Sequence, residues 1–160
     1  MTRPTDDDRI AAALVGAWRL VSWTIEYPAN GRVTQPFGAV PEGLLVYSAD
    51  GHMSAAMQRP DRARLSRAAP NAVGDAEKAA AFAGYLHYAG TWSVTGGAVV
   101  HAVELAMNPN LVGTRQVRHV ALEGDRLELR AEEPLESPGQ LRRHRILWRR
   151  ARQSSAGSAA

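Results

Sequence analysis

The sequence predicts an all-β fold, a single up-and-down antiparallel β-barrel of about eight or more strands with a short helix around residues 75–85. Short runs in which apolar and polar residues alternate recur along the chain, as in strands with one buried face. Turn signals separate these runs, among them Ala-Asp-Gly at 49–51 and Gly-Gly at 96–97. So many antiparallel strands would leave exposed edges in an open sheet, and closure into a barrel removes them.

Length and composition limit the class of protein. The 160 residues suffice for one domain with a buried core. No apolar stretch is long enough to span a membrane, and the acidic start lacks the apolar core of a signal peptide. Cysteine is absent, which excludes disulfides and thiolate chemistry. We therefore expect a cytoplasmic protein that does not bind membranes.

The first elements are an expected leader and a long strand. Residues 1–13 are interpreted as a flexible leader with a short helix, placed at 9–15 with Asp8 as its N-cap. Residues 16–27 alternate between two faces, as a strand does. With Trp18 pointing inward, regular alternation places five side chains on the inner face: Trp18, Leu20, Ser22, Thr24 and Glu26.

A hairpin and a long loop follow. Residues 28–31 are typical of a turn, and the proline-containing segment 32–42 favours a loop or edge segment. Strands at 43–48 and 52–58 form a hairpin around the Ala-Asp-Gly turn. Residues 59–75 contain arginines and prolines without periodicity, so we expect an exposed loop, with a lid as one interpretation.

The second half of the chain contains one helix and five strands. Asp75 is the expected cap of an alanine-rich helix that Gly84 can end. The barrel is expected to span 14–150, and the Ser/Ala/Gly-rich segment 151–160 to be disordered. The remaining strands are predicted at 85–94, 99–107, 114–122, 126–131 and 141–148.

The net charge of +3 comes almost entirely from arginine, since Lys78 is the single lysine. Arginines cluster at 59–67 and 142–152, and the second cluster alternates with apolar residues. Such alternation is typical of an exposed strand face. We therefore expect no nucleic-acid partner, with polyanion binding through these arginines as the alternative.

Alternation also selects a candidate binding surface inside the barrel. Aromatic rings can stack on a ligand and methionines adapt to its shape, so this interior suits a small hydrophobic or aromatic molecule. By alternation, Leu105 is also expected to point into the barrel. The alternative is that these side chains simply fill the barrel. The expected ligand-binding residues are Tyr47, Met53, Met57, Tyr88, Trp92, His101 and Met107.

His101 is the main catalytic candidate because it lies within an apolar run, with Tyr88 as its partner. The alternative is a buried histidine that is hydrogen-bonded to a tyrosine. Glu104 has the opposite parity and would need a bulge to reach His101. Glu26 could pair with Arg118 at the barrel rim. The histidines lack metal-ligand spacing and no nucleotide motif is present, so we expect neither a metal nor a cofactor.

Six segments together resemble the bacterial and fungal lipocalin-like domain family. The resemblance covers residues 14–150 and implies a lipocalin-type barrel. It also implies that Trp18 plugs one end under an arginine, either Arg149 or Arg150. The segments are LVGAWRLVSW (14–23), PEGLLVYSADGHMSAAM (41–57), FAGYLHYAGTWSV (82–94), VVHAVELAMNPNLVGTRQVR (99–118), GDRLELR (124–130) and ILWRR (146–150).

Some members of this family look like accessory or tailoring proteins of secondary-metabolite pathways. The resemblance and the interior residues together predict a barrel that binds a small hydrophobic or aromatic molecule, such as a secondary-metabolite intermediate. The alternative is a cofactor-independent isomerase, cyclase or dehydratase that acts in the same cavity, with His101 and Tyr88 as its proton relay. The sequence leaves open whether the protein forms a homodimer.

Overall fold

Eight antiparallel strands close into a barrel in the computed structural model, which describes residues 3–152. Residues 1–2 of the predicted leader and residues 153–160 of the predicted disordered tail lie outside the described residues. The helices and strands are α1 (Asp6–Leu14), β1 (Gly16–Tyr27), β2 (Arg32–Thr34), β3 (Glu42–Tyr47), β4 (His52–Gln58), α2 (Asp75–Ala83), β5 (Tyr85–Thr95), β6 (Ala98–Ala106), β7 (Arg115–Glu123), β8 (Arg126–Pro134) and β9 (Leu141–Arg150).

Pairing between β1 and β9 closes the ring β1-β3-β4-β5-β6-β7-β8-β9, and every neighbouring pair in it is antiparallel. The short strand β2 pairs with the last residues of β1. It lies inside the segment 32–42 predicted as a loop or edge segment. The predicted up-and-down barrel, with α2 as its short helix, is confirmed. No helix of the described chain has the length and apolar character needed to cross a membrane.

Trp18 closes one end of the barrel. Its side chain is fully buried and its Nε1 donates to the carbonyl of Leu14 at 2.9 Å. The Arg150 guanidinium carbon lies 4.1 Å from the indole centroid, and the same guanidinium donates to the carbonyls of Ala13 and Val15. The implied pairing is therefore present, and Arg150 makes it while Arg149 is exposed. We call this end the plugged end and the opposite end the open end.

Both predicted helix caps lie one or more residues inside the helices. Thr5 caps α1: its hydroxyl accepts from the Asp8 N–H, and the Asp8 carboxylate accepts from the Thr5 N–H at 2.8 Å. Asp8 therefore fills the third helical position of a capping box, a role that also suits a carboxylate. Gly74, without a side-chain bond, caps α2, and Asp75 is its first residue.

Asp7 attaches α1 to the β5–β6 turn. Its carboxylate accepts from the backbone N–H groups of Gly96 at 2.8 Å and Gly97 at 2.9 Å. We expect Asp7→Ala to lower the free energy of unfolding by about 1–2 kcal/mol, measured by urea denaturation. Asp6→Ala is the matched control, because within the described part of the chain Asp6 makes only an exposed ion pair with Arg9, and its loss should cost less than about 0.5 kcal/mol. Equal effects of the two substitutions would contradict this role.

A bulge in β1 reverses the alternation predicted for its second half. Leu20 pairs with Trp148, but Ser22 pairs with Leu147, so Val21 is the extra residue. After the bulge, Trp23 and Ile25 point into the core. The predicted inward positions of three residues were therefore wrong, and these lie on the outer face: Ser22, Thr24 and Glu26.

A second bulge lies in β6. Ala89 pairs with Leu105 and Gly90 with Val103, which leaves Glu104 as the extra residue. Leu105, predicted to face inward, is 68% exposed because the bulge turns it outward. Met107 lies one residue beyond β6, half-buried and outside the packed core.

Part of the loop at 59–75 packs against α2 and the open end. Arg62 donates to the Gln58 side chain at 3.0 Å and to the carbonyl of Ala81 at 3.2 Å. Its guanidinium carbon lies 5.1 Å from the centroid of the Tyr85 ring. The loop thus has fixed contacts at the open end, and its role as a lid stays a prediction.

Candidate functional site

Two tyrosines hold His101 from both sides inside the barrel. The Tyr47 hydroxyl lies 2.7 Å from His101 Nε2, and the Tyr88 hydroxyl lies 2.8 Å from His101 Nδ1. Exposure of the three residues is 1%, 7% and 1% for Tyr47, Tyr88 and His101. The predicted pairing of His101 with Tyr88 is thus present, and Tyr47 is a second partner. We call this group the Tyr–His–Tyr chain.

Strand register brings these residues together. His101 pairs with Trp92 of β5 and with Gln116 of β7, so it lies on the inner face upstream of the β6 bulge. Tyr47 ends β3, and its ring centroid lies 4.8 Å from that of Trp92. Tyr88 of β5 pairs with Ala106, which follows the bulge in β6. The chain therefore joins three strands that are not all neighbours in the sheet.

The imidazole of His101 is neutral at physiological pH. Burial lowers the pKa of His101 from 6.5 to about 3, and the positive charge of Arg118 makes a smaller contribution in the same direction. Burial also raises the pKa of Tyr47, with a further contribution from Tyr88, while Arg118 opposes this rise. Burial raises the pKa of Tyr88, and the charge and N–H groups of Arg118 oppose it. All three side chains consequently act as neutral hydrogen-bonding groups.

This electrostatic environment does not suit the acid–base role hypothesised for His101 and Tyr88. A general base works best when its pKa lies near the operating pH. The pKa of His101, about 3, is far below it, and the pKa of each phenol is raised. Glu104 is exposed despite the bulge at its position. The arrangement is suited to orienting hydrogen bonds, and an enzymatic role stays a hypothesis.

Arg118 is a site residue whose position the sequence did not predict. It pairs with the fully buried Val99, so it lies on the inner face, whereas its proposed partner Glu26 lies on the outer face. A guanidinium N–H donates to Gln116 Oε1 at 3.2 Å, and the Gln116 amide donates to Thr114 at 2.8 Å. Side chains along β7 therefore orient the guanidinium.

Six of the seven predicted binding residues come together. Five are buried at 7% exposure or less, and Trp92 packs half-buried against them; these six are Tyr47, Met53, Met57, Tyr88, Trp92 and His101. Met107 is the exception, because the β6 bulge ends regular alternation before it. The structure therefore groups these residues around the Tyr–His–Tyr chain, and their role in binding stays a prediction.

The inner face at the open end is only partly covered. Met57 pairs with Leu86, and Tyr88 pairs with Ala106. Leu86, Ala106 and Leu111 are half-buried and pack against the core from this side. We call these three residues, with Met57 beneath them, the open-end surface. It is apolar and lies next to the Tyr88 end of the Tyr–His–Tyr chain.

One buried donor in the core has no acceptor. Trp148 points inward and is 2% exposed, and no group within residues 3–152 forms a hydrogen bond with its Nε1. An unsatisfied buried N–H costs about 1–3 kcal/mol. The interior therefore has a surplus of donors, to which the Arg118 guanidinium also contributes.

A second cavity, a groove of about 1060 Å³, is lined mostly by residues on the outer face of the barrel, together with the inward Ala131 and His144. Pairing of β7 with β8 ends at His119 and Arg130, so the two strands diverge beyond these residues. The groove extends from this divergence across β9 and β1, and none of the seven predicted binding residues lines it. Its lining residues are Thr24, Glu26, Val33, Val117, His119, Arg130, Ala131, Glu132, Arg143, His144 and Arg145.

Ion pairs occupy several arginines of the second cluster, at 142–152. Arg142 binds Glu133 and Arg143 binds Glu132, each at 2.8 Å. Arg145 binds the buried Glu128 at 2.7 Å, and Arg130 binds the same carboxylate. These ion pairs neutralise much of the positive charge of the cluster, which fits its interpretation as an exposed strand face. Among residues 3–152, no group of three potential metal-binding side chains occurs.

Two comparisons identify related proteins. Residues 15–151 match a family described as lipocalin-like domain. A relative from Aspergillus oryzae is 38% identical over 84 residues, which make up 48% of this chain and 76% of the relative. That relative is named as a 4'-hydroxy-3'-methoxypropiophenone carrier protein.

Proposed function

The chain belongs to the lipocalin-like domain family, and on that premise we propose that it carries a small aromatic molecule inside the barrel. Aryl ketones of the kind named for the Aspergillus oryzae relative are the first candidates. The observation that carries this proposal is the Tyr–His–Tyr chain, a neutral polar group inside a barrel with a largely apolar core and next to the open-end surface. Apolar walls with a few oriented polar groups are typical of small-molecule sites.

The surplus of interior donors also supports a ligand with oxygen atoms. Trp148 Nε1 has no acceptor, and Arg118 has more N–H groups than the two acceptors that it contacts. A ligand oxygen would satisfy donors of this kind, and an aromatic ring would cover the open-end surface. The pKa of His101 favours carriage over acid–base catalysis, because the imidazole stays neutral.

Titration calorimetry with 4'-hydroxy-3'-methoxypropiophenone tests the proposal. We expect saturable binding with one ligand per barrel. Ala106→Phe should weaken binding at least about tenfold, or 1.4 kcal/mol, because the larger side chain fills the open-end surface. Val117→Phe is the control, since Val117 is 47% exposed and lines the outer groove.

The two variants separate the two locations. Loss of affinity in Val117→Phe with wild-type affinity in Ala106→Phe would place the ligand in the outer groove and contradict the interior site. Failure of the wild-type protein to bind aryl ketones or other small aromatic molecules would contradict the proposed function itself. Thermal unfolding of each variant checks that the barrel is intact.

A further inference from the structure

We propose that Tyr88 and Arg118 together bind one acceptor oxygen of the ligand, the carbonyl oxygen of an aryl ketone. His101 is a positioning residue that directs the Tyr88 hydroxyl hydrogen away from itself and toward that oxygen. The inference deepens the proposed function and rests on it. The number of hydrogens in the Tyr–His–Tyr chain, the burial of its two tyrosines and the partners of Arg118 carry the argument.

The Tyr–His–Tyr chain has one hydrogen more than its two hydrogen bonds use. A neutral imidazole has one N–H and one nitrogen lone pair. One tyrosine must therefore donate to the lone pair, and the other must accept from the N–H. The accepting tyrosine keeps a hydroxyl hydrogen that no group in the chain can take. This follows from the two contacts whichever tautomer is present.

Burial decides which tyrosine has the remaining hydrogen. Tyr47 is 1% exposed, and among the described residues its hydroxyl is hydrogen-bonded to His101 Nε2 alone. If Tyr47 accepted from His101, its own hydrogen would be buried without an acceptor, which is costly. Tyr88 is the less buried of the two, at 7% exposure, and its strand position pairs with half-buried Ala106 at the open-end surface, so its hydrogen is the one nearer to water or a ligand. Tyr47 therefore donates to Nε2, and the Nδ1–H donates to Tyr88.

Arg118 supplies the second donor beside Tyr88. Its guanidinium donates to Gln116, the residue that pairs with His101, and His101 is itself hydrogen-bonded to Tyr88. In agreement with this position, Arg118 opposes the effect of burial on the pKa of Tyr88. None of the ion pairs found in residues 3–152 involves Arg118. Its hydrogen bonds go to Gln116 Oε1 and to the carbonyl of Val117, both at 3.2 Å. A phenol O–H and a guanidinium N–H on the same inner surface can both donate to one acceptor oxygen.

The carbonyl preference can be measured with two ligands that differ in one group. Propiophenone and propylbenzene share a phenyl ring and a three-carbon chain, and only the first has a carbonyl. We expect the wild-type protein to bind propiophenone at least about tenfold more tightly. Tyr88→Phe and Arg118→Met should each reduce this ratio to about twofold or less, because each removes a donor. Tyr85→Phe is the matched control, as Tyr85 contacts Arg62 and His87 on the outside and should keep the wild-type ratio.

Nitrogen-15 NMR of labelled histidine tests the tautomer in the free protein, independently of any ligand. We expect the His101 proton on Nδ1 and the lone pair on Nε2. A proton on Nε2 would overturn the inference, as would a wild-type ligand ratio near one or an unchanged ratio in Tyr88→Phe. If the tautomer is as expected and neither these probes nor other aromatic molecules bind, the proposed function fails and the inference about the ligand fails with it. A ratio near one with tight binding of both probes removes only the inference.

Discussion

Replacing Gly90 with alanine is expected to lower the free energy of unfolding by about 3 kcal/mol or more. A Cβ atom at this position would lie 1.9 Å from the carbonyl oxygen of Ala102 and 3.0 Å from the backbone nitrogen of Glu104. Both atoms belong to the bulged region of β6, which faces Gly90. Because backbone cannot move aside as a side chain can, the barrel wall must distort. Urea denaturation followed by circular dichroism measures the loss.

Gly74→Ala is the control for this substitution. Gly74 has a φ of −70° and no atom within 4 Å of an added Cβ, so alanine fits there. We expect a change within about 1 kcal/mol. Similar effects at both glycines, or wild-type stability of Gly90→Ala, would show that the close approach of β6 to β5 is absent.

The buried neutral His101 makes stability depend on pH. The pKa of His101 is about 3 in the folded protein and near 6.5 when the chain is unfolded. Between these values the unfolded chain binds the extra proton, so stability is highest above pH 6.5 and falls as the pH is lowered. From about pH 7.5 to 5 the His101 contribution to the free energy of unfolding should fall by about 2 kcal/mol.

His101→Gln isolates this contribution. Glutamine keeps one donor and one acceptor for the two tyrosines but does not titrate. Burial also lowers the pKa of His144, which adds to the slope in both proteins, so the difference between their slopes reports on His101. Measurement above about pH 5 avoids the carboxylates, whose ordinary pKa is 4.5 or below. Parallel pH profiles for the wild type and the variant would contradict a buried neutral imidazole.

The barrel could be predicted because its hairpins have strong local signals. Glycine turns and alternating runs identify the strands. The inward positions of Tyr47, Tyr88 and His101 follow from alternation, because no bulge precedes any of them in its strand. The bulges at Val21 and Glu104 have no such signal. Each inserts one ordinary residue, and every later position in the strand then changes face.

Arg118 shows a second reason why sequence reasoning fell short. In β7 the outward Val117 lies between the inward Gln116 and Arg118, so apolar and polar positions have the reverse of the usual arrangement. Val120 and Leu122 point inward as hydrophobic alternation predicts, but that pattern gives no reason to expect Gln116 and Arg118 on the same inner face. The register between Val99 and Arg118 places Arg118 on the inner face. The polar inner face of β7 is therefore the part of the candidate site that pattern could not predict.

The most direct test of the interior site is a crystal structure of the protein with 4'-hydroxy-3'-methoxypropiophenone. We expect the aromatic ring against the open-end surface and the carbonyl oxygen within hydrogen-bond distance of the Tyr88 hydroxyl and the Arg118 guanidinium. Ligand density in the outer groove, with the open-end surface unchanged, would contradict the interior site and the roles given to Tyr88, His101 and Arg118.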